Sequence, residues 1–307
     1  MKLNHIIKAQ QFDRKSLDDI FLVASQMEEI ALKGGSNILH GKTMATIFYE
    51  PSTRTRLSFE AAILKLGGEL ISTENAREFS STAKGESLED TIRIVGSYAD
   101  VIVLRHFESG AAERAAKVSP VPVINAGDGP GQHPTQALLD IYTIKKEIGK
   151  LDGISIAMVG DLAYSRTVRS LAYLLTKYDN IKVYFVAPDV VRMRGDIKNY
   201  LTKHNVFFAE ETDLQKVSSQ VDVIYQTRIQ KERFGENLED FEKAKDKYII
   251  DKDILKVMKK NAIIMHPLPR VNEISIEVDS DPRAAYFRQA QNGLYIRMAL
   301  LKMILVG

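Results

Sequence analysis

The sequence predicts an α/β protein with two doubly wound parallel-sheet domains that are joined by interdomain helices. Three observations support this prediction. Short runs rich in β-branched and aromatic residues alternate with helical segments along the 307 residues. The alternation occurs in two successive series, and the length suggests two domains at ~150 residues per domain. A long helical segment separates the two series and would connect the domains.

The first series follows an amphipathic helix with apolar positions from Leu17 to Ile30. Its strand segments are short, apolar and bounded by polar or glycine-rich turns. Its helices are predicted to begin near Ser52, Ser87 and Ser109. The predicted strands span 43–49, 69–73, 101–105 and 122–125.

The second series has the same alternating pattern and therefore predicts a second parallel sheet. Its predicted strands lie near 154–160, 181–187, 206–209, 221–226 and 262–265. Its predicted helices lie near 165–178, 195–204 and 213–219.

Domain limits follow from the helix signals between and after the two series. Pro134 begins a helix and Gly149 ends it, so 134–149 is predicted to be the bridging helix. The first domain would comprise 1–133 and the second 150–283. An apolar helix at about 284–305 is expected to pack back across both domains, and about 284–307 would complete the first one.

Composition excludes several classes of function. Lys and Arg total 42 against 40 Asp and Glu, so the net charge of +2 predicts no nucleic-acid partner. The absence of cysteine excludes disulfides, thiolate chemistry and cysteine-based zinc sites. The first residues lack the apolar core of a signal peptide, and no run of 18 apolar residues predicts a membrane span. We therefore expect a cytoplasmic protein without membrane attachment.

The segment Ser52-Thr53-Arg54-Thr55-Arg56 lies where a predicted strand turns into a predicted helix. Free backbone N–H groups and the positive end of the helix dipole point toward a ligand at such a turn. Pro51 fixes the entry to the turn, and no acidic residue lies between Glu50 and Glu60 to neutralise the arginines. The segment predicts a phosphate site. The alternative is a polar N-capping loop with solvated arginines.

Polar residues also follow other predicted strands, and ligands of open parallel sheets bind at those carboxyl ends. Four strand ends carry an arginine, which favours a multiply charged anion over a solvated rim. These arginines are Arg54, Arg105, Arg166 and Arg228. At the start of the bridging helix, His133 and Gln136 are three residues apart and can share a face. Both can donate to a carbonyl or phosphoryl oxygen.

Other motifs in the sequence do not fit the site classes that they resemble. The segment 35–43 has five residues between its glycines where a P-loop needs four, and it precedes its strand. Gly160 follows a strand but lacks the further glycines of a dinucleotide fold, so no nicotinamide cofactor is expected. The six histidines show no metal-ligand spacing, so no metal is predicted. Composition alone leaves Lys84 as an exposed lysine in a polar loop.

Taken together, the motifs resemble the carbamoyltransferase family, and within it the members that use aspartate. The resemblance runs over nearly all of the chain. It rests on Ser52–Arg56, Arg105-His106, Asn125–Gly129, His133–Gln136, 158–161, 227–233, His266–Arg270 and 286–293.

The resemblance implies a carbamoyl phosphate-binding first domain and an L-aspartate-binding second domain. The implied reaction is the committed step of de novo pyrimidine biosynthesis, without a cofactor. It also implies an allosteric homotrimer whose active sites lie between chains, with Ser80 and Lys84 lent by the neighbouring subunit. Separate regulatory chains, common among prokaryotic relatives, would give a larger assembly, and the sequence leaves their presence open.

The acceptor amino acid is predicted from two features. Ornithine-using members typically carry His-Cys-Leu-Pro, where this chain has Pro267 after His266. A cationic ornithine side chain would be repelled by Arg228, whereas the two carboxylates of aspartate suit arginine and lysine. A non-catalytic sensor on the same scaffold is a third possibility, but such a protein would be expected to lose site residues. Aspartate is the predicted acceptor.

The resemblance assigns roles to individual residues. Catalytic roles fall to Arg54, Thr55, Arg105 and His133. Carbamoyl phosphate would be bound by Ser52, Thr53, Arg54, Thr55, Arg105, His133, Gln136, Leu268 and Pro269. Aspartate would be bound by Lys84, Arg166, Arg228, Gln230 and Leu268. One departure from the family pattern is Ala163, because relatives have lysine and glycine near the arginine that corresponds to Arg166. This departure leaves the contacts of domain closure open.

Overall fold

The computed structural model describes residues 3–79, 84–229 and 248–307. The chain divides into two compact units. Unit 1 comprises Met1–Leu139 and Gln291–Gly307, and unit 2 comprises Asp140–Ala290. Both divisions fall inside helices, because Pro134–Ile148 and Tyr286–Leu305 are each continuous. The predicted domain limits at 133, 149 and 283 stay predictions.

Unit 1 is built on a four-stranded parallel sheet. Its strands are β1 (Thr43–Phe48), β2 (Glu69–Glu74), β3 (Val101–His106) and β4 (Val123–Asp128). The strand order is β2-β1-β3-β4, so the chain leaves β1 toward one edge and later returns to pair β3 on its other side. The order therefore reverses between β1 and β3, and a crevice is expected at their carboxyl ends.

Helices cover this sheet and bury its apolar faces. Ala45 and Ile47 of β1 pack with Ile102 and Leu104 of β3 in one core cluster, which Ile92 joins from a helix. The helices that begin in unit 1 are α1 (Arg14–Leu32), α2 (Thr53–Lys65), α3 (Ala76–Phe79), α4 (Leu88–Gly96), α5 (Ala111–Val118) and α6 (Pro134–Ile148).

Unit 2 contains a five-stranded parallel sheet in the order β7-β6-β5-β8-β9. The order reverses between β5 and β8, so a second crevice is expected at their carboxyl ends. Its strands are β5 (Ser155–Val159), β6 (Lys182–Val186), β7 (Phe207–Glu211), β8 (Val223–Gln226) and β9 (Ile263–Met265). The helices are α7 (Arg166–Leu175), α8 (Gly195–Lys203), α9 (Leu214–Ser218), α10 (Lys252–Val257) and α11 (Tyr286–Leu305).

The predicted fold class is confirmed, and the strands of both series lie close to their predicted positions. Two short helices, α3 and α10, were not predicted, because four and six residues carry too little helical periodicity. β4 continues through Gly127 and Asp128, beyond the predicted strand at 122–125. In the described part of the chain, no helix combines the length and apolarity needed to cross a membrane.

Gly160 shows how tightly the crevice of unit 2 is built. It follows β5 with φ +107°, a conformation that side chains rarely adopt. A Cβ atom at this position would lie 2.3 Å from the carbonyl oxygen of Thr227, which follows β8. The two loops at the carboxyl ends of β5 and β8 therefore approach each other through a glycine that no other residue can replace without displacement.

Gly160→Ala should destabilise unit 2 because it adds both a clash with backbone and an unfavourable φ. We expect a loss of about 2 kcal/mol or more, and a thermal transition lowered by several degrees. Gly195→Ala is the matched control, since a Cβ there meets nothing within 4 Å. Differential scanning calorimetry of both variants checks the prediction, and equal transitions for the two would contradict it.

Candidate active site

The first turn of α2 presents free hydrogen-bond donors at the carboxyl end of β1. Ser52 occupies the N-cap with φ −157° and ψ 98°, and its side chain makes no capping hydrogen bond. The first turn contains no acidic residue. The orphan N–H groups of a helix start, together with its dipole, are therefore left to an external anion.

Arg54 adds a positive charge to this turn. Its side chain is exposed, and among the described residues no carboxylate forms an ion pair with it. Partial burial lowers the pKa of the guanidinium from its ordinary value, although an arginine stays charged at any physiological pH. An uncompensated guanidinium beside a helix N-terminus favours the binding of a phosphate group.

Arg56 differs from Arg54: the expectation that no carboxylate neutralises the arginines of this turn is wrong for Arg56. Its Nη2 lies 2.8 Å from Oε2 of Glu74, and its Nη1 lies 3.4 Å from Oε1 of Glu60. Glu74 also accepts a 3.3 Å hydrogen bond from the N–H of Ser52. Arg56 is thus neutralised by two carboxylates. Glu74 lies at the end of β2, and Glu60 lies one turn further along α2. Glu74 was missed because its proximity depends on the parallel register Phe48↔Glu74, which no local motif encodes.

Arg105 reaches the same turn from the neighbouring strand. It pairs in register with Phe48 near the end of β3. Its Nη1 donates to Oγ of Ser52 at 3.4 Å, and its Nε lies 3.5 Å from Oε2 of Glu50. The predicted convergence of Ser52 and Arg105 is therefore observed within unit 1, with Glu50 as an internal anion beside the guanidinium.

Thr55 and His133 come together although they lie 78 residues apart. Thr55 Oγ1 is 3.5 Å from His133 Nε2, and both residues are buried. On the other side of the ring, Thr135 Oγ1 is 3.4 Å from Nδ1. Gln136 is buried in the first turn of α6, and its N–H donates to the carbonyl of His133 at 3.1 Å. A hydroxyl flanks each ring nitrogen, so His133 can present an N–H from Nε2 when Thr135 donates to Nδ1.

The loop ahead of His133 is fixed by buried polar groups. Asp128 Oδ1 accepts hydrogen bonds from the N–H of Gln132 at 2.9 Å and from Asn125 Nδ2 at 3.2 Å. Its Oδ2 accepts from the N–H of Gly110 at 2.8 Å. Gln132 is held in turn by Gln10, whose Oε1 accepts from Gln132 Nε2 at 2.8 Å. This network fixes the position of the first turn of α6.

His106 has a structural role in unit 1. Its Nδ1 accepts a 3.0 Å hydrogen bond from the N–H of Glu108, and its ring stacks on Phe107 with centroids 4.3 Å apart. Burial lowers the pKa of His106 below its ordinary value of 6.5, so the neutral ring is favoured.

The residues of unit 2 that are predicted to bind aspartate lie at two adjacent strand ends. Arg166 is the first residue of α7, after the loop that follows β5, and Arg228 follows β8. Both side chains are half-buried. Among the described residues no carboxylate pairs with Arg228. Ala163 is buried, and its N–H donates to the carbonyl of Val191 at 3.0 Å.

Leu268 and Pro269 form a turn after β9. Leu268 has φ +49°, and the peptide bond between the two residues is cis. The N–H of Leu268 donates to His266 Nδ1 at 2.7 Å, and His266 Nε2 lies 2.8 Å from Oε1 of Glu273. The motif His266–Arg270 contains this histidine but not Glu273, whose place beside the ring depends on how the chain folds back after β9.

Three residues that are predicted to bind substrate make none of the contacts described above. Lys84 is exposed at the start of a described segment. Ser80 and Gln230 lie outside the described residues. Within the described ranges, no group of three or more His, Asp or Glu side chains could hold a metal ion.

Comparison with known proteins identifies two family models along the chain. Residues 4–146 match the model "Aspartate/ornithine carbamoyltransferase, carbamoyl-P binding domain". Residues 152–304 match "Aspartate/ornithine carbamoyltransferase, Asp/Orn binding domain". Together the two models cover nearly the whole sequence.

Individual relatives agree with the models. An aspartate carbamoyltransferase from Oryza sativa subsp. japonica is 66% identical over 313 residues, which cover 100% of this chain and 86% of the relative. The catalytic subunit of Methanocaldococcus jannaschii aspartate transcarbamoylase has a TM-score of 0.91 at 50% identity, with 98% and 97% of the two chains covered. A Trypanosoma cruzi aspartate transcarbamoylase in complex with carbamoyl phosphate and aspartate has a TM-score of 0.93 at 41% identity, with 99% and 96% covered.

The cytoplasmic setting expected from the sequence was wrong. The relatives from Oryza sativa and Arabidopsis thaliana, each 66% identical to this chain, are named as chloroplastic. The expectation rested on the lack of cysteine and of an apolar signal-peptide core. Disulfide-forming cysteines and an apolar signal-peptide core are features of secreted proteins. Their absence argues against secretion but does not distinguish the cytoplasm from a plastid.

The lowered pKa of His106 predicts a pH dependence of stability. A histidine whose pKa is lower in the folded state contributes stability that is present above pH 6.5, and this contribution falls away as the pH drops through the folded-state pKa. His106→Asn keeps an oxygen that can accept from Glu108 N–H but removes the titration. We therefore expect the variant to lose less of its Tm than the wild type between pH 7.5 and pH 5. Parallel Tm profiles for both proteins would contradict this role.

Proposed function

The chain belongs to the aspartate/ornithine carbamoyltransferase family, and we propose that it transfers the carbamoyl group of carbamoyl phosphate to the amine of L-aspartate. The products are N-carbamoyl-L-aspartate and phosphate, in the pathway of pyrimidine synthesis. The prediction of a carbamoyl-group transferase that acts on aspartate is confirmed by relatives that are named as aspartate carbamoyltransferases over the full chain. The observation that supports it most strongly within the structure is the unneutralised Arg54 at the start of α2.

Unit 1 binds the phosphate group in this proposal. Ser52, Thr53 and Thr55 supply hydroxyl and backbone donors from the first turn of α2. Arg54 and Arg105 supply charge, and charge-assisted hydrogen bonds contribute ~1.5–3 kcal/mol each. The 3.4 Å contact between Arg105 and Ser52 supports a shared role.

The carbamoyl group lies beside the buried pair of Thr55 and His133 in this assignment. Thr55, Arg105 and His133 polarise its oxygen, which gains negative charge when the amine attacks the carbonyl carbon. Fixed donors aimed at such an oxygen are a large term in acyl transfer. Gln136 and the carbonyls of Leu268 and Pro269 orient the amide nitrogen.

Proton transfer needs no dedicated side chain. The attacking amine must lose a proton, and the leaving phosphate is a suitable acceptor. Holding two substrates in reactive positions supplies much of the remaining acceleration. No metal or cofactor enters this scheme.

Aspartate is bound by residues of unit 2 together with Lys84. Arg166, Arg228 and Gln230 bind its two carboxylates, and the carbonyl of Leu268 is a further contact. Arg228 is half-buried and lacks a carboxylate partner among the described residues, which suits a site for an anionic acceptor. The cationic side chain of ornithine would meet like charge at the same place.

A homotrimer with shared active sites completes the proposal. Ser80 and Lys84 would be contributed by the neighbouring chain. Unit 1 exposes Leu57 and Leu64 on α2, which lie seven residues apart on one face and are 50% and 58% accessible. Exposed apolar residues at helical spacing support association of this unit with another copy. Regulatory chains and allosteric control stay predictions from the resemblance.

A carbamoyl-transfer assay tests the proposed function. Purified wild-type protein should release phosphate from carbamoyl phosphate with L-aspartate, and N-carbamoyl-L-aspartate should be identified as the product. Arg228→Ala should raise the KM for aspartate by about 10-fold to 150-fold, the equivalent of one charge-assisted hydrogen bond. The KM for carbamoyl phosphate should change little.

Arg192→Ala provides the control, because Arg192 pairs with Asp189 on the surface of unit 2. It should leave both KM values near the wild-type values. Turnover with L-ornithine but not L-aspartate would overturn the choice of acceptor. Tight binding of carbamoyl phosphate without turnover of either amino acid would identify a non-catalytic sensor.

A further inference from the structure

A buried imidazole–carboxylate pair supports the turn that contains Leu268 and Pro269. His266 and Glu273 are 2% and 7% accessible, and His266 Nε2 lies 2.8 Å from Glu273 Oε1. On the other side of the ring, Nδ1 accepts a 2.7 Å hydrogen bond from the N–H of Leu268. The imidazole therefore connects a carboxylate to the backbone of the turn.

These contacts fix the protonation state of the ring. Since Nδ1 accepts a hydrogen bond from a backbone N–H, the proton of a neutral ring must be on Nε2, where it is donated to Glu273. The second oxygen of Glu273 accepts from the N–H of Val271 at 3.1 Å. Burial acts to raise the pKa of Glu273, but its bonds to His266 and to backbone N–H groups outweigh burial and lower it. Glu273 is thus an anion with both oxygens occupied.

The backbone of His266 is held from a second direction. Its N–H donates to Gln289 Oε1 at 2.8 Å, and Gln289 Nε2 donates to Asp140 Oδ1 at 2.7 Å. The other oxygen of Asp140 accepts from the hydroxyl of Tyr225 at 2.8 Å. All of these residues belong to unit 2. The ring of His266 therefore cannot shift without breaking several buried hydrogen bonds.

Leu268 is the part of the turn that needs such support. It is not a glycine, yet its φ of +49° lies in the left-handed region. Non-glycine residues in that region are unfavourable and persist where the surroundings impose them. The hydrogen bond from Leu268 N–H to His266 is the observed contact that fixes the peptide orientation on its amino side.

We propose that Glu273 and His266 are positioning residues, which hold the Leu268 peptide in the orientation that accepts hydrogen bonds from the carbamoyl amide. This inference rests on the proposed function, in which the carbonyls of Leu268 and Pro269 contact that amide. Glu273 acts through the ring: its carboxylate keeps the proton on Nε2, so that Nδ1 stays available to Leu268. Neither side chain needs to touch the substrate.

Glu273→Gln tests the role, because an amide offers one accepting oxygen where two N–H groups need an acceptor. If the amide oxygen accepts from His266, its NH2 faces the N–H of Val271. If the amide is reversed, its NH2 drives the ring proton to Nδ1, which then faces the N–H of Leu268. Either arrangement disturbs the turn while the side-chain volume is kept.

Titration calorimetry with two probes separates positioning from general stability. We expect Glu273→Gln to weaken the Kd for carbamoyl phosphate by about 10-fold to 100-fold, the range of one or two lost hydrogen bonds. The Kd for inorganic phosphate should stay within twofold of the wild-type value, because phosphate binds to unit 1. Glu147→Gln is the matched control: Glu147 makes two 2.7 Å contacts with Arg288 elsewhere in unit 2. It should leave both Kd values unchanged.

Equal weakening of both probes, or no weakening of either, would overturn the positioning role. A second measurement does not depend on the variant being folded. Nitrogen-15 spectra of the wild-type imidazoles at pH 7 should show His266 as the neutral Nε2–H tautomer, and an Nδ1–H or cationic ring would contradict the proposal. Failure of the wild type to carbamoylate aspartate would instead refute the proposed function, so the two results are distinguishable.

Discussion

The rest of the candidate site depends on the position of the α2 N-terminus, which lies beside the carboxyl ends of β1 and β3. Parallel pairing aligns the two strands so that Phe48 and Arg105 lie in register. The helix that follows β1 must therefore begin next to Arg105, with its unpaired N–H groups directed outward. Because Ser52 makes no capping bond of its own, a bound phosphate would complete the helix terminus.

Carboxylates set which positive charges remain for a ligand. Glu60 and Glu74 neutralise Arg56, and Glu50 lies beside Arg105, whereas Arg54 has no carboxylate partner among the described residues. The turn thus offers one guanidinium without competition. In unit 2 a carboxylate acts on a histidine instead of an arginine. The carboxylate of Glu273 keeps the ring proton of His266 on Nε2, and the ring in turn holds a backbone turn. Local charge pairing in each unit therefore decides which groups can meet a substrate.

Much of this could be predicted from the sequence, because strands and their polar ends leave local signals. The strand before Ser52 and the one before Asp161 are short runs rich in β-branched and apolar residues, and both lie in the interior of their sheets. The partnership of Arg56 with Glu74 could not be predicted, since it depends on which strands are neighbours and in what register. The support of Leu268 by Glu273 likewise depends on how the chain folds back after β9. The compartment was mispredicted because folding chemistry carries little information about the destination of the chain.

We propose that the guanidinium of Arg54 serves the reacting phosphate, and kcat for Arg54→Ala compared with Arg56→Ala tests this role most directly. Both variants remove an arginine from the same turn. We expect Arg54→Ala to lower kcat at least about 10³-fold, or about 4 kcal/mol of transition-state stabilisation, with an unchanged circular dichroism spectrum. Arg56→Ala should remain within about tenfold of the wild type, because its charge is already paired. A loss below about tenfold for Arg54→Ala, or equal losses for the two variants, would contradict the claim.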